Sequence, residues 1–165
     1  MKALVTAASK NGATAEIAAA LAANLRKRGI EADVLPPERV TDLAPYDAVV
    51  LGSAVYSGRW LPPARDLVAR ASEELRGRRV WLFSSGPVGD PSRRIVRMMG
   101  EDPSDLAAAR ESSGARGHRM FAGKIDRSAL PRLQRLATRL FRLDGDFRDW
   151  EEIDAWAEEI AAGCA

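Results

Sequence analysis

The chain of 165 residues is short of several residue types on which common functions depend. A single cysteine, Cys164, excludes an internal disulfide and is typical of a protein from a reducing compartment. This cysteine is penultimate, so we expect it to be exposed. A single histidine, His118, leaves no His/Cys cluster with metal-ligand spacing and no Ser-His-Asp set. We therefore predict no metal site, and we expect the histidine to be structural.

Long hydrophobic runs are also absent. No apolar run is long enough to cross a bilayer, and residues 1–14 lack the pattern of a signal peptide, so the expected location is the cytoplasm. Hydrophobic residues nevertheless make up 46% of the chain, which is enough for a globular core. We predict one domain over residues 1–165, with a lid or loop excursion at 94–117, where Gly100 and Pro103 interrupt a helical pattern.

Charge is distributed unevenly along the chain. Residues 76–142 carry 15 basic and 6 acidic side chains, whereas residues 143–165 carry 1 and 8. The basic zone indicates an anionic partner, such as an anionic substrate or the inner face of an anionic membrane. A solvated helix face is the alternative explanation of its arginines. No nucleic-acid-binding motif accompanies the charge, so we predict no nucleic-acid partner.

Short apolar runs alternate with helical stripes along the chain. The predicted strands are 2–7, 31–35, 47–51, 80–83 and 119–125. The predicted helices are 14–28, 62–77, 128–143 and a last helix that follows an Asp149–Glu152 capping box. Five strands alternating with helices predict an α/β fold, a doubly wound five-stranded parallel sheet with helices on both faces.

The segment from Leu4 to Ile17 is the most informative part of the sequence. An apolar run is followed by a polar turn with one glycine, Gly12, and then by a helical pattern. The free N–H groups at a helix N-terminus make an anion site, to which the hydroxyls of Ser9 and Thr14 add donors. Neither a triphosphate motif nor a dinucleotide motif is present, so the predicted anion is a single phosphate. An ordinary capped turn is the alternative.

Three segments follow the predicted strands at the carboxyl edge of the sheet, where doubly wound folds bind ligands. We call them the first, second and third loops, and they span residues 6–14, 52–62 and 84–93. All three are rich in Gly, Ser and Thr. Small, donor-rich loops favour a flat ligand with a phosphate tail.

These loops resemble those of the flavodoxin family, and the resemblance covers nearly the whole chain. The matching segments are Ser9 to Thr14, Gly52 to Trp60 and Ser84 to Gly89. Within the family, the chain is most similar to the flavodoxin-like, menaquinone-dependent protoporphyrinogen oxidases. Phe121-Ala122-Gly123-Lys124 and Asp149-Trp150-Glu151 add to that similarity.

The resemblance implies FMN as cofactor and a set of residues that bind it. Ser9, Thr14 and the amides of 11–14 would hold the phosphate, the backbone of 53–58 and 85–89 would meet the flavin ring, and Tyr56 or Trp60 would stack on it. No side chain receives a catalytic role, because the flavin carries the chemistry. The implied cofactor-binding residues are Ser9, Lys10, Asn11, Gly12, Ala13, Thr14, Ser53, Ala54, Val55, Tyr56, Ser57, Gly58, Trp60, Ser84, Ser85, Gly86, Pro87, Val88 and Gly89.

Three functions are compatible with this resemblance. The leading one is an FMN-dependent oxidoreductase of heme biosynthesis that acts on a porphyrinogen and uses a quinone. The second is a small FMN electron-transfer flavodoxin with a redox partner protein, and the third is a flavin-free interaction module. Because electron carriers of the family are usually acidic, the sequence pI of 9.0 favours the first.

Overall fold

A five-stranded parallel sheet forms the centre of the protein. The structure, a computed structural model, describes residues 1–86, 102–125 and 145–165. The strands lie in the order β2-β1-β3-β5-β6, and the two-residue strand β4 pairs antiparallel with β3. Their bounds are β1 Lys2–Ala8, β2 Glu31–Leu35, β3 Ala48–Tyr56, β4 Arg59–Trp60, β5 Arg79–Ser85 and β6 Gly117–Phe121. The predicted doubly wound α/β fold is confirmed.

Helices cover both faces of the sheet. Helices α1 and α5 pack on one face, and α2, α3 and α4 pack on the other. Their bounds are α1 Ala13–Lys27, α2 Pro62–Arg70, α3 Ser72–Arg76, α4 Leu106–Ser113 and α5 Trp150–Cys164. A 3-10 turn spans Pro37–Arg39, and a small antiparallel ribbon pairs β7 Lys124–Ile125 with β8 Gly145–Asp146. Since parallel strands all point one way, the first loop, the second loop and the start of the third loop at Ser84 to Gly86 share the carboxyl edge of the sheet.

The sheet buries both of its faces because side chains alternate along each strand. On the face toward α1 and α5, the rings of Phe83, Phe121 and Trp156 form an aromatic cluster with centroids 5.5 to 6.2 Å apart. Gly52 makes room for this cluster, because a Cβ on it would lie 2.1 Å from the Phe83 ring. Gly52 therefore serves packing rather than ligand approach.

Helix α5 follows its sequence pattern closely. The Asp149 carboxylate accepts the N–H groups of Glu151 and Glu152 at 3.0 Å, so the predicted cap is present. The predicted stripe of Ile153, Trp156, Ala157 and Ile160 is fully buried. Cys164 continues this stripe and is 2% exposed, so the expectation that it is exposed was wrong.

Several boundaries differ from the sequence prediction. Strand β3 continues to Tyr56, so the second loop is mostly strand and hairpin. The predicted helix 62–77 breaks at Ala71 into α2 and α3. Within the 94–117 excursion, helix α4 extends to Ser113 because Leu106 and Ala109 pack into the core. The predicted helix 128–143 and residues 94–101 lie outside the described residues.

Candidate functional site

The first loop forms an anion cradle between β1 and α1. Gly12 precedes the helix with φ of 85°, a left-handed conformation that suits glycine. Thr14 in the first helical turn is 2% exposed. Within the described part of the chain, no group accepts the backbone N–H of Ala13, Thr14 or Ala15. These donors are therefore available at the positive end of the helix dipole.

The Ser9 hydroxyl supports the binding of a phosphate group in this cradle. Its Oγ is buried and has no hydrogen-bond partner among the described residues. A buried hydroxyl without a partner is costly, and a phosphate oxygen would satisfy it. The neighbouring Lys10 is exposed and adds one positive charge. The residues present thus match the terminal phosphate of FMN.

A tight hairpin at the second loop places Tyr56 beside the cradle. Ser57 and Gly58 form its turn with φ of 51° and 71°, the pattern of a type I′ turn. The Asn11 amide donates to the Tyr56 hydroxyl at 3.2 Å, and Lys10 Nζ lies 5.0 Å from the ring centroid. Tyr56 is 42% exposed. Burial raises the pKa of its phenol above 10.0, so the hydroxyl is protonated at neutral pH.

Trp60, the other residue expected to stack on a flavin, lies in the core. It is 2% exposed, and its indole Nε1 donates to Ser84 Oγ at 2.8 Å. Strand β4 folds back on β3 and turns this side chain inward against the α2 face. The structure therefore leaves Tyr56 as the stacking candidate.

Ser53 and Ala54 also lie within the sheet rather than on an open loop. Both pair in register with β5, and Ser53 also pairs with Ala8. The Ser53 hydroxyl donates to the Ala54 carbonyl and accepts the Leu61 N–H at 2.9 Å. Strand β3 is thus longer than predicted and includes both residues, and a contact of their backbone with a flavin ring stays a prediction. The half-buried Val55 is the next residue toward the turn.

The third loop begins with buried serines. Ser84 is fully buried, Ser85 is 6% exposed, and the Gly86 N–H donates to the Phe121 carbonyl at 2.9 Å. The backbone of the loop is thereby fixed to β6 at its start. Pro87, Val88 and Gly89, which were expected to contact the flavin, lie outside the described residues.

Ser84 and His118 form a contact that the sequence did not reveal. His118 Nε2 lies 2.9 Å from Ser84 Oγ, and its Nδ1 lies 3.9 Å from an Asp102 oxygen. Burial lowers the pKa of His118 below its ordinary value, although the nearby Asp102 carboxylate acts to raise it. Ser84 Oγ thus lies between the Trp60 indole, which donates to it, and the His118 ring. Because Ser84 is fully buried and already bonded, the arrangement connects strands rather than activating a nucleophile.

Residues before α4 hold the hairpin in place. The Ser104 N–H donates to the Gly58 carbonyl at 2.9 Å, and the Asp105 carboxylate accepts the Trp60 N–H at 3.2 Å. Neither residue was assigned a role from the sequence. Two polar residues directly after Pro103 indicate the start of a helix, but they do not indicate that the hairpin at Gly58 and Trp60 is their partner.

A buried arginine, Arg148, supports the first turn of α1. Its side chain is 2% exposed and pairs with Asp146 at 2.6 Å and with Glu16. Its Nη1 also donates to the Ala13 carbonyl at 3.3 Å, and the Trp150 ring lies 4.5 Å away. No local pattern predicts this role, although Arg148 is the only basic side chain in the acidic region 143–165.

The described ranges contain neither a metal-binding cluster nor a membrane-spanning helix. Within residues 1–86, 102–125 and 145–165, no three His, Cys, Asp or Glu side chains are grouped to hold a metal ion. Over the same ranges, no helix combines the length and the apolar character that crossing a membrane requires.

Comparisons with known proteins agree with this geometry. A family model described as "Flavodoxin domain" matches residues 4–145. Protoporphyrinogen IX dehydrogenase [quinone] of Escherichia coli (strain K12) is 26% identical over 179 residues, which cover 98% of this chain and 95% of that protein. The similarity to this relative thus runs along both chains.

Solved structures share the fold. A flavodoxin from the domain Archaea superposes with a TM-score of 0.63 at 18% identity and covers 99% of this chain and 98% of its own. A Streptococcus pneumonia TIGR4 flavodoxin gives 0.61 at 24% identity, with 99% of both chains covered. Rubredoxin oxygen:oxidoreductase of Desulfovibrio gigas gives 0.65 at 16% identity, and 98% of this chain spans only 35% of that protein. The strand order and the family match together place the chain in the flavodoxin family, whose cofactor is FMN.

Proposed function

We propose that the protein is an FMN-dependent oxidoreductase that dehydrogenates a porphyrinogen and passes the electrons to a quinone. The first-loop cradle, with its unsatisfied Ser9 hydroxyl, carries the FMN part of this proposal. The substrate and acceptor are supported by the full-length similarity to the Escherichia coli dehydrogenase, at 26% identity. The proposal includes a single domain, a place in heme biosynthesis, and a cytoplasmic location with peripheral contact at the inner face of the membrane.

In this proposal, the chain's own residues bind FMN and orient it. Ser9, Thr14 and the N–H groups that open α1 hold the phosphate, while Arg148 fixes the helical turn that carries them. Tyr56 covers the ring from the hairpin. When bound, FMN supplies the hydride- and electron-transfer chemistry.

Cationic side chains at the cradle and hairpin favour an anionic substrate. Lys10 is exposed, and the Arg59 side chain is 60% exposed, with a 4.0 Å contact to Asp105 among the described residues. Carboxylates such as those of a porphyrinogen would be attracted to both groups. A neutral substrate would gain nothing from either charge.

The first test is the visible spectrum of the purified protein, before and after addition of FMN and desalting. Retained FMN supports the flavoprotein, and anaerobic turnover of protoporphyrinogen IX with menaquinone then tests the enzyme through porphyrin fluorescence. We expect porphyrin formation that requires both FMN and quinone. Absence of turnover by FMN-loaded protein would contradict the proposed enzyme activity. Failure to bind FMN would favour the flavin-free interaction module.

The second candidate is an electron carrier that serves a partner protein. Two exposed aromatic side chains near the first loop favour it, because Tyr56 and Trp150 are 42% and 44% exposed. Such rings are suited to a protein interface. Electron exchange with a reductase, without porphyrinogen turnover, would distinguish this function from the enzyme.

A further inference from the structure

Four arginines gather at the edge of the sheet opposite the first loop. Arg76 ends α3, Arg79 begins β5, Arg78 lies between them and Arg116 precedes β6. They line an open pocket of about 530 Å³, which we call the distal pocket. The remaining lining residues are Tyr46, Asp47 and Gly77.

The positive charge of the distal pocket is not balanced within the described part of the chain. Asp47 is its only acidic lining residue, and one oxygen of this carboxylate accepts the Lys2 N–H at 2.8 Å. None of the four arginines forms an ion pair with a described carboxylate, in contrast to Arg28, Arg119 and Arg148. Four like charges held together repel each other, so an anion would stabilise this arrangement.

Backbone carbonyls hold three of the guanidinium groups in place. Arg78 donates to the Leu43 and Tyr46 carbonyls at 3.0 Å, and Arg76 donates to two carbonyls at the end of α4 at 3.1 Å. Arg116 donates to the Gly163 carbonyl at 3.0 Å and lies 5.7 Å from the Trp81 ring centroid. These bonds order the side chains without cancelling their charge, and each guanidinium has five donors.

Arg79 is the least engaged of the four. Its only side-chain hydrogen bond to the described residues goes to the Met1 sulfur at 3.7 Å, a weak acceptor. It is half-buried at the start of β5. Its donors are therefore available to a ligand in the pocket.

We propose that the distal pocket binds a small, multiply charged phosphate anion, such as the diphosphate of a soluble metabolite. The paired N–H donors of a guanidinium group match phosphate oxygens, and guanidinium groups that are already ordered lose little conformational entropy on binding. The arginines are drawn back onto carbonyls around an open depression, which suits a small ligand that binds between them. A lipid surface is instead recognised by basic side chains that protrude toward it.

The test is calorimetric titration of inorganic pyrophosphate into the full chain saturated with FMN, so that the first loop is already filled. We expect saturable 1:1 binding that Arg79→Gln with Arg116→Gln weakens by roughly tenfold or more. Arg70→Gln, which removes an arginine outside the pocket, is the matched control and should leave the affinity unchanged.

A variant that is expected to bind pyrophosphate more tightly controls for misfolding, because a misfolded protein would not gain affinity. Asp47→Asn removes the one negative charge of the pocket but keeps an oxygen for the Lys2 N–H, so it should tighten binding by roughly threefold. No saturable binding, or equal affinity in all variants, would overturn the proposal. Binding to phosphatidylglycerol vesicles that the arginine pair abolishes, without pyrophosphate binding, would also overturn it in favour of a lipid surface.

Discussion

The two edges of the parallel sheet handle charge in opposite ways. At the flavin edge, which holds the first, second and third loops, small neutral donors such as Ser9 and Thr14 surround a helix N-terminus. At the distal edge, arginines such as Arg76 and Arg116 donate to carbonyls at helix C-termini. One edge presents backbone donors, and the other presents side-chain cations.

This difference follows from the direction of the chain in a doubly wound fold. Every strand-to-helix turn lies at one edge and every helix-to-strand turn at the other, so N–H groups collect at the first and carbonyls at the second. An anion can bind the flavin edge through the backbone alone. The distal edge can attract an anion only if side chains reverse the sign of the carbonyl dipoles, as the four arginines do.

The largest effect is expected from removing the neutral donors of the flavin edge. Ser9→Ala with Thr14→Val deletes two hydroxyls that would bond a phosphate, and FMN affinity should fall by roughly a hundredfold. Quenching of FMN fluorescence during titration measures this. The distal variant Arg79→Gln is the control and should leave FMN affinity unchanged. A loss of only twofold in the double variant would show that these hydroxyls do not hold the phosphate.

The next effect concerns Arg148, the buried arginine beside the first turn of α1. Arg148→Met leaves Asp146 and Glu16 without their partner, and the unfolding free energy should fall by about 2 kcal/mol, because both carboxylates keep some contact with water. FMN affinity should fall as well, since Arg148 also bonds the Ala13 carbonyl. Urea unfolding and FMN titration measure the two effects.

An ion pair at the other end of α1 provides the comparison for Arg148. Arg28 pairs with Asp154 at 2.9 Å, near the opposite end of α1. Arg28→Met should therefore reduce stability less and leave FMN affinity unchanged. If both variants lose FMN equally, Arg148 acts only through global stability.

The sequence predicts those parts of the flavin edge whose contacts join residues close together in the chain. The turn from β1 into α1 and the Asp149 cap depend on neighbours within a few residues, so composition and spacing identify them. The second loop was predicted less well, because Gly52-Ser53-Ala54 has the composition of a loop. Gly52 lies within β3 and pairs with both neighbouring strands, and it is a glycine because the Phe83 ring, from another strand, occupies its side-chain space.

Long-range contacts explain the functional residues that the sequence did not reveal. Arg148 pairs with Glu16 across 132 residues, and Trp60 reaches Ser84 only after β4 folds back. The distal pocket likewise joins residues from 46 to 116. A single sequence shows that residues 76–142 are basic, but not which arginines share a pocket.

A smaller effect tests whether the interior of the sheet, between the two edges, accepts a cation. Burial places the pKa of His118 below its ordinary value of 6.5, so the unfolded chain binds more protons as the pH falls through that value. Stability should therefore decrease from pH 7.5 to 5.5. His118→Gln keeps a polar group near Ser84 and should flatten this dependence, as measured by urea unfolding at both pH values. Parallel pH profiles for the two proteins would contradict this role of His118.

The smallest effect is expected at the distal edge, where cations are already tolerated. Arg79→Gln removes one of four like charges without breaking an ion pair to a described residue, so stability at low salt should rise by on the order of 0.3 kcal/mol. Sulfate should then stabilise the wild type more than the variant, because it screens and binds the full cluster. Thermal unfolding with and without sulfate measures both. Equal sulfate effects in the two proteins would show that Arg79 adds no unbalanced charge, and the contrast between the edges would then depend on Arg76, Arg78 and Arg116 alone.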